Sequence, residues 1–236
     1  MIDPAGLASW LDPLASRDQG QDEPEHAQAT RILDLVRRLA ARQAPVLPAF
    51  EQPGSASVVA MSIGADVAQQ LAPRRPETLV VVEIAAAVLA APWLSGQHDQ
   101  ESALVRGLRV ADRLLPRDDL DMGRDTGTWG AIAGAMGIAA DRARDGIATV
   151  ACSAASLALT PVTSSHLDVS YCALRVGHAS ASALLAVSLA DAGFVADPQA
   201  IDELHDRLGV VPAAAQEERA DRIARVAVRA MEVTVR

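Results

Sequence analysis

A run of small residues over positions 123–141 constrains the fold of this chain more than any other stretch. It begins with glycine, threonine and aspartate and continues mainly as alanine and glycine, with no proline. Alanine favours a helix, whereas Gly130, Gly134 and Gly137 each cost a helix up to about 1 kcal/mol relative to alanine. These glycines therefore predict a central helix that other backbones approach closely. The free N–H groups and positive dipole at its N-terminal end predict a binding site for an anion.

The composition predicts an all-α fold. The chain has 236 residues, half of them apolar, and only 3% are aromatic. Alanine, valine and leucine dominate, which favours many closely packed helices over a β-sandwich. We expect a short helix and flexible linker over 1–25 and one compact helical domain over 26–236. Within that domain, a helix over 174–192 should stop at Gly193, and an amphipathic helix should span 212–233.

The net charge, the absence of lysine and the spacing of the cysteines and histidines argue against several classes of function. The net charge is −9 and all 21 basic residues are arginine, so a nucleic-acid surface and lysine chemistry are not expected. Cys152 and Cys172 have no metal or redox spacing, and we expect them to be reduced and buried. The histidines also lack metal-ligand spacing, so we expect no metal and no cofactor.

We expect a cytoplasmic protein that does not span a membrane. The N-terminus lacks the basic start and apolar core of a signal peptide. The longest apolar run, 79–94, is interrupted by Glu83 and Pro92 and is too short to cross a bilayer.

Several segments, taken in order, resemble the MmgE/PrpD family, which contains 2-methylcitrate dehydratases and cis-aconitate decarboxylases. The first is Thr-Gly-Thr-Trp-Gly-Ala-Ile at 126–132, which leads into the alanine/glycine helix, and the second is Ala-Thr-Val-Ala-Cys-Ser-Ala-Ala-Ser at 148–156. The others are Leu-Arg-Val-Gly-His-Ala-Ser at 174–180 and Leu-Ala-Asp-Ala-Gly-Phe at 189–194. The resemblance covers about residues 57–194. It implies a large helical domain that forms homodimers. It also implies that the family's α/β lid domain is absent from this chain, so a separate lid-bearing partner chain is an open alternative.

The family's catalytic motifs are altered here. Its acidic segment before a His-Pro corresponds to the region of Asp66 and then Arg75-Pro76. Its Gly-x-His-x-Thr motif is Gly-Arg124-Asp-Thr, and its Lys-x-x-His-x-Gly motif is Cys172-Ala-Leu-Arg175-Val-Gly. Three arginines thus stand where the resemblance implies histidine, and arginine stays protonated, so it cannot accept the proton that the family reaction requires.

Two interpretations of these exchanges stay open. In one, the chain lost catalysis and drifted; in the other, the arginines converge and bind a carboxylate or phosphate. The candidates for catalysis are Asp125, His166, Tyr171 and Cys172. The candidates for binding a small anionic ligand are Arg75, Arg124, Thr126, Thr128, Arg175 and His178. Helix capping by the threonines, packing by His178 and solvation of His166 are the structural alternatives.

Three functions follow as hypotheses. The first is a divergent lyase or isomerase that acts on a carboxylate-bearing metabolite, which clustered ionisable groups with shifted pKa values would favour. The second is a non-catalytic helical partner, which an exposed apolar face would favour. The third is a cyclase-type pocket in specialised biosynthesis, which an enclosed aliphatic cavity would favour. Whether the chain is an enzyme stays open at this point.

Overall fold

The computed structural model describes residues 23–41, 55–73, 78–114, 127–139, 144–159, 168–197, 199–201 and 203–204. The described helices are α1 (Glu23–Ala40), α2 (Ala56–Leu71), α3 (Leu79–Ala90), α4 (Gln97–Leu114), α5 (Trp129–Ala139), α6 (Arg144–Leu157) and α7 (Val169–Asp191). These residues contain no strand, which confirms the all-α prediction for this part of the chain. The helix and linker predicted before residue 23 and the helix predicted over 212–233 lie outside the described residues.

Helix α5 is the centre of the bundle. All eleven of its residues are buried, and it packs against α3, α4, α6 and α7. Gly130 faces α3, Gly134 faces α7 and Gly137 faces α4. A Cβ added at Gly137 would lie only 2.5 Å from the carbonyl oxygen of Ala103. The close backbone approach that these glycines predicted is confirmed.

Helix α7 is the longest of the described helices, and it begins earlier than the sequence indicated. The Asp168 side chain accepts a hydrogen bond from the backbone N–H of Ser170 at 3.3 Å, so it caps a helix that starts at Val169. The predicted start near residue 174 was therefore wrong, because the polar run before it hid this cap. The helix ends as expected, with Gly193 in the left-handed region (φ 78°).

Helices α2 and α7 cross at another pair of glycines. A Cβ at Gly177 would lie 2.7 Å from the carbonyl oxygen of Met61, and a Cβ at Gly64 would lie 3.3 Å from the Cα of Gly177. The two backbones therefore nearly touch. This crossing fixes which face of α7 points into the bundle.

Helix α1 is attached through both apolar and polar contacts. Its buried face includes Ile32, Val36 and Leu39, which are fully shielded from solvent. On its polar side, Glu25 forms an ion pair with Arg109 of α4, with a separation of 2.6 Å. Because that pair is partly exposed, we expect most of the attachment energy to come from the apolar face.

The glycines of α5 give the first prediction. Gly137→Ala should lower the free energy of unfolding by about 1–3 kcal/mol, because its methyl group would press on the backbone of α4. Gly134→Ala should change it by less than about 1 kcal/mol, because its nearest neighbours are methyl groups at 3.2 and 3.6 Å and alanine favours the helix. Urea unfolding of both variants tests this difference, and equal stabilities would contradict it.

Candidate functional site

A tight turn precedes α5 and lies between three other helices. Gly127 has a φ of 91°, a left-handed conformation that favours glycine. Its N–H donates to Oε1 of Glu83 on α3 at 2.7 Å, and its carbonyl accepts from the N–H of Leu159, just after α6, at 3.0 Å. The hydroxyl of Thr128 donates to the carbonyl of Leu159. The turn is therefore held in place from both α3 and the end of α6.

Glu83 is the carboxyl group at the centre of this arrangement. It is fully buried and is the only charged residue of α3. Burial of such a group is costly unless it is hydrogen-bonded, and the N-terminal end of α5 supplies both an N–H and a positive dipole. Gly130 provides the space, since a Cβ there would collide with the Glu83 carboxyl. At this helix end, where the sequence predicted a bound anion, the Gly127 N–H is bonded to a carboxyl group of the chain itself.

Sequence reasoning missed Glu83 as part of a site. It treated this residue only as an interruption in an apolar run. The available signal was a single acid within an otherwise aliphatic helix, a pattern that requires a buried partner. That partner, Gly127, lies 44 residues further along the chain, so no local motif identifies it.

Arg175 approaches the same turn from α7. Arg175 is almost completely buried, with 4% of its surface exposed. A Cβ added at Gly127 would lie 3.3 Å from both Nε and Nη2 of Arg175, so the guanidinium lies directly beside the turn. The guanidinium carbon is 5.7 Å from the centre of the Tyr171 ring, which gives a cation–π contact with an exposed aromatic side chain.

Two ionisable groups lie one helical turn from Arg175 on either side. Burial raises the pKa of the Cys172 thiol, and Asp168 adds to this, although Arg175 opposes it. Burial, and then the charge of Arg175, lowers the pKa of His178. Near neutral pH the thiol is protonated and the imidazole is uncharged. Nδ1 of His178 lies 3.3 Å from the hydroxyl of Ser182.

The described residues contain half of the predicted site. The other predicted site residues, which lie outside the described part of the chain, are Arg75, Arg124, Asp125, Thr126 and His166. Arg175 lies beside Gly127, the residue before Thr128, and its guanidinium contacts the Tyr171 ring. Cys172 and His178 lie on the same helix as Arg175. Thr128 is fully buried and its hydroxyl is already bonded, so its contacts are those of a structural residue.

Among the described residues, no group of three or more histidine, cysteine, aspartate or glutamate side chains could hold a metal ion. Both cysteines are free thiols and are buried. Helix α7 is long and apolar enough to cross a membrane by length and composition alone. However, 67% of its most apolar window is buried inside the fold, so this is weak evidence for a membrane span.

Comparison with protein-family models, with curated proteins and with solved structures finds no match to this chain. The MmgE/PrpD resemblance therefore stays a prediction from sequence motifs.

The Glu83 contact gives the second prediction. Glu83→Ala should lower the free energy of unfolding by about 3 kcal/mol or more, because it leaves a cavity and removes the acceptor of the Gly127 N–H. Glu83→Gln keeps an acceptor oxygen and nearly the same shape, so it should lower the free energy of unfolding clearly less than Glu83→Ala does. Chemical unfolding measures both variants. Equal losses would show that the hydrogen bond to Gly127 contributes little.

His178 gives a prediction about pH. Because its pKa is lower in the folded chain than in the unfolded chain, the unfolded chain takes up the proton first as the pH falls. Stability should therefore decrease as the pH falls below about 6.5 and level off once the folded-state pKa is passed. His178→Gln should remove this part of the pH dependence. Thermal unfolding of the wild type and the variant at pH 7.5 and pH 5 tests it, and parallel profiles would contradict it.

Proposed function

We propose that this chain is a divergent MmgE/PrpD-like lyase or isomerase of the cytoplasm that acts on a carboxylate-bearing metabolite. Arg175 binds the ligand's carboxylate beside the Gly127 turn. One observation carries the proposal: the nearly fully buried Arg175 lies one helical turn from a thiol and one turn from an imidazole, and its charge acts on both of their shifted pKa values. Such a grouping of perturbed ionisable side chains is typical of functional sites.

The side chains around Arg175 have complementary capacities for proton transfer. A guanidinium can bind a carboxylate through two parallel hydrogen bonds. The uncharged imidazole of His178 can accept a proton, whereas the protonated thiol of Cys172 and the phenol of Tyr171 can donate one. Elimination of water from a hydroxy acid needs both steps, at the carbon beside the carboxylate and at the departing hydroxyl. Asp125 and His166 are further candidates for these roles.

Access to Arg175 requires a local movement. The residue is nearly fully buried, while the Tyr171 ring next to its guanidinium is 44% exposed. Displacement of this ring is the smallest change that would open the guanidinium to solvent. Ligand binding should therefore alter the environment of Tyr171, which is the only tyrosine in the chain. Its fluorescence is weak beside three tryptophans, but its ring resonances in an NMR spectrum would report the change.

A second candidate function is a non-catalytic helical partner, a pseudoenzyme subunit that pairs with a lid-bearing chain. Two contacts favour it. The carboxyl of Glu83 already occupies the N-terminal end of α5, and the hydroxyl of Thr128 is already bonded to Leu159. Polar groups that are bonded within the chain in this way can support the fold without any ligand.

Ligand binding by Arg175 is the prediction that separates these two functions. In calorimetric titrations, citrate or cis-aconitate should bind to the wild type, and Arg175→Gln should weaken binding by about 10- to 100-fold through loss of charge-assisted hydrogen bonds. Arg106→Gln is a matched control, since Arg106 is also a buried arginine and donates to the carbonyl of Gly137 instead. Its binding should be unchanged. Absence of binding to the folded wild type would favour the non-catalytic function.

A further inference from the structure

The hydroxyl of Ser182 on α7 bonds differently from those of three other helical serines. Ser156, Ser180 and Ser188 each donate to the backbone carbonyl four residues earlier, at 2.9–3.0 Å. This is a common arrangement for a serine within a helix. The Oγ of Ser182 lies instead 3.3 Å from Nδ1 of His178, one turn earlier on the same helix. Ser182 therefore bonds to an imidazole of the candidate site rather than to the backbone of its own helix.

The burial of Ser182 indicates which of the two atoms donates the shared proton. Ser182 is 4% exposed, and His178 is its one side-chain hydrogen-bond partner among the described residues. If Nδ1 donated, the serine oxygen would accept, and the serine O–H would be buried without an acceptor among those residues, which is costly. If the serine donates, its proton is bonded and Nδ1 supplies the lone pair. The second arrangement satisfies the buried hydroxyl, so it is the favoured one.

A neutral imidazole that accepts at Nδ1 carries its own proton on Nε2. This follows because the neutral ring has one N–H and one acceptor nitrogen. His178 is uncharged near neutral pH, since burial and the charge of Arg175 lower its pKa. A hydrogen bond donated to the uncharged ring favours the uncharged form further. Ser182 can therefore determine what His178 offers at its second ring nitrogen.

We infer that Ser182 is a positioning residue that donates to Nδ1 of His178 and keeps this imidazole in the form protonated at Nε2. The ring then offers a neutral N–H donor three residues along α7 from Arg175, and residues three apart are neighbours on a helix. Resting on the proposed function, this narrows its ligand to a metabolite with a carboxylate for Arg175 and a second acceptor oxygen for His178. Because Nδ1 is already engaged, Asp125 or His166 is favoured over His178 as the proton acceptor of the proposed reaction.

The first experiment determines by NMR which ring nitrogen of His178 carries the proton. The full chain is prepared with isotope-labelled histidine, and a His178→Gln variant identifies the resonances of His178 among the five histidines. At pH 7.5 the wild type should be protonated at Nε2, with the Nδ1 resonance moved to lower frequency by the hydrogen bond that it accepts. Ser182→Ala should move the Nδ1 resonance to higher frequency and increase the population protonated at Nδ1, because the donor is lost.

Ser180→Ala is the matched control for this experiment. Ser180 is also a buried serine of α7, but its hydroxyl donates to the carbonyl of Val176. Its removal should leave both nitrogen resonances of His178 unchanged, and circular dichroism checks that both variants stay folded. A wild type protonated at Nδ1 would overturn the inference. Equal spectra of His178 in the wild type and in Ser182→Ala would overturn it as well.

The second experiment follows the same resonances during a titration with cis-aconitate. Binding should shift the Nε2 resonance of His178, and Ser182→Ala should weaken binding by about 2- to 10-fold, as expected for the loss of one hydrogen bond. The position of the ring proton is measured without ligand, so that result is independent of the titration. Absence of binding to the wild type would count against the proposed function and not against the positioning role of Ser182. Binding that leaves the Nε2 resonance unchanged would refute the donor role of His178.

Discussion

The absence of side chains at three positions of α5 is the constraint on which the rest of the fold depends. Because Gly137 has no Cβ, the backbone of α4 can approach it at Ala103, and at Gly134 the methyl group of Ala183 on α7 can pack closely. Gly130 leaves the volume that the Glu83 carboxyl fills. A short helix that is buried on every side can be surrounded by four others only if it is thin, and alanine and glycine make it so. Larger residues would push the neighbours apart and expose the polar turn.

The polar turn is a direct consequence of that burial. Helix α5 begins inside the bundle, so its first N–H groups cannot be satisfied by water. Glu83 supplies an acceptor at Gly127 from one side, and Arg175 lies against the same glycine from the other. Both side chains are almost completely removed from solvent, which is costly for charged groups unless their surroundings compensate. Arg175 is thus both a neighbour of this buried helix end and the residue that the proposed function assigns to the ligand, which is why it has a structural and a functional interpretation.

The sequence was most informative where one residue type has one physical meaning. Glycines within a helix implied close backbones, and Gly193 implied a helix end; both were correct. It was least informative where the partner is distant. Nothing near Glu83 indicates Gly127, and nothing near Arg175 indicates the same turn. The start of α7 was missed because a capping aspartate in a polar run looks like any other loop residue. Half of the proposed site lies outside the described residues, so its convergence stays a prediction.

Helix α7 differs from an ordinary surface helix in where its small and large side chains lie. Its inner face is built largely from small residues, among them Gly177, Ser180 and Ala183, which allow α2 and α5 to pack closely. Large apolar side chains such as Leu174 and Leu185 lie on the outside instead. The sequence of this helix gave no correct signal for which face is exposed, because most of it is uncharged and its one arginine, Arg175, lies on the buried side. Because small residues bring α2 and α5 close to α7, there is little room for bulk between these helices, and two of the leucines of α7 remain exposed on its outer face.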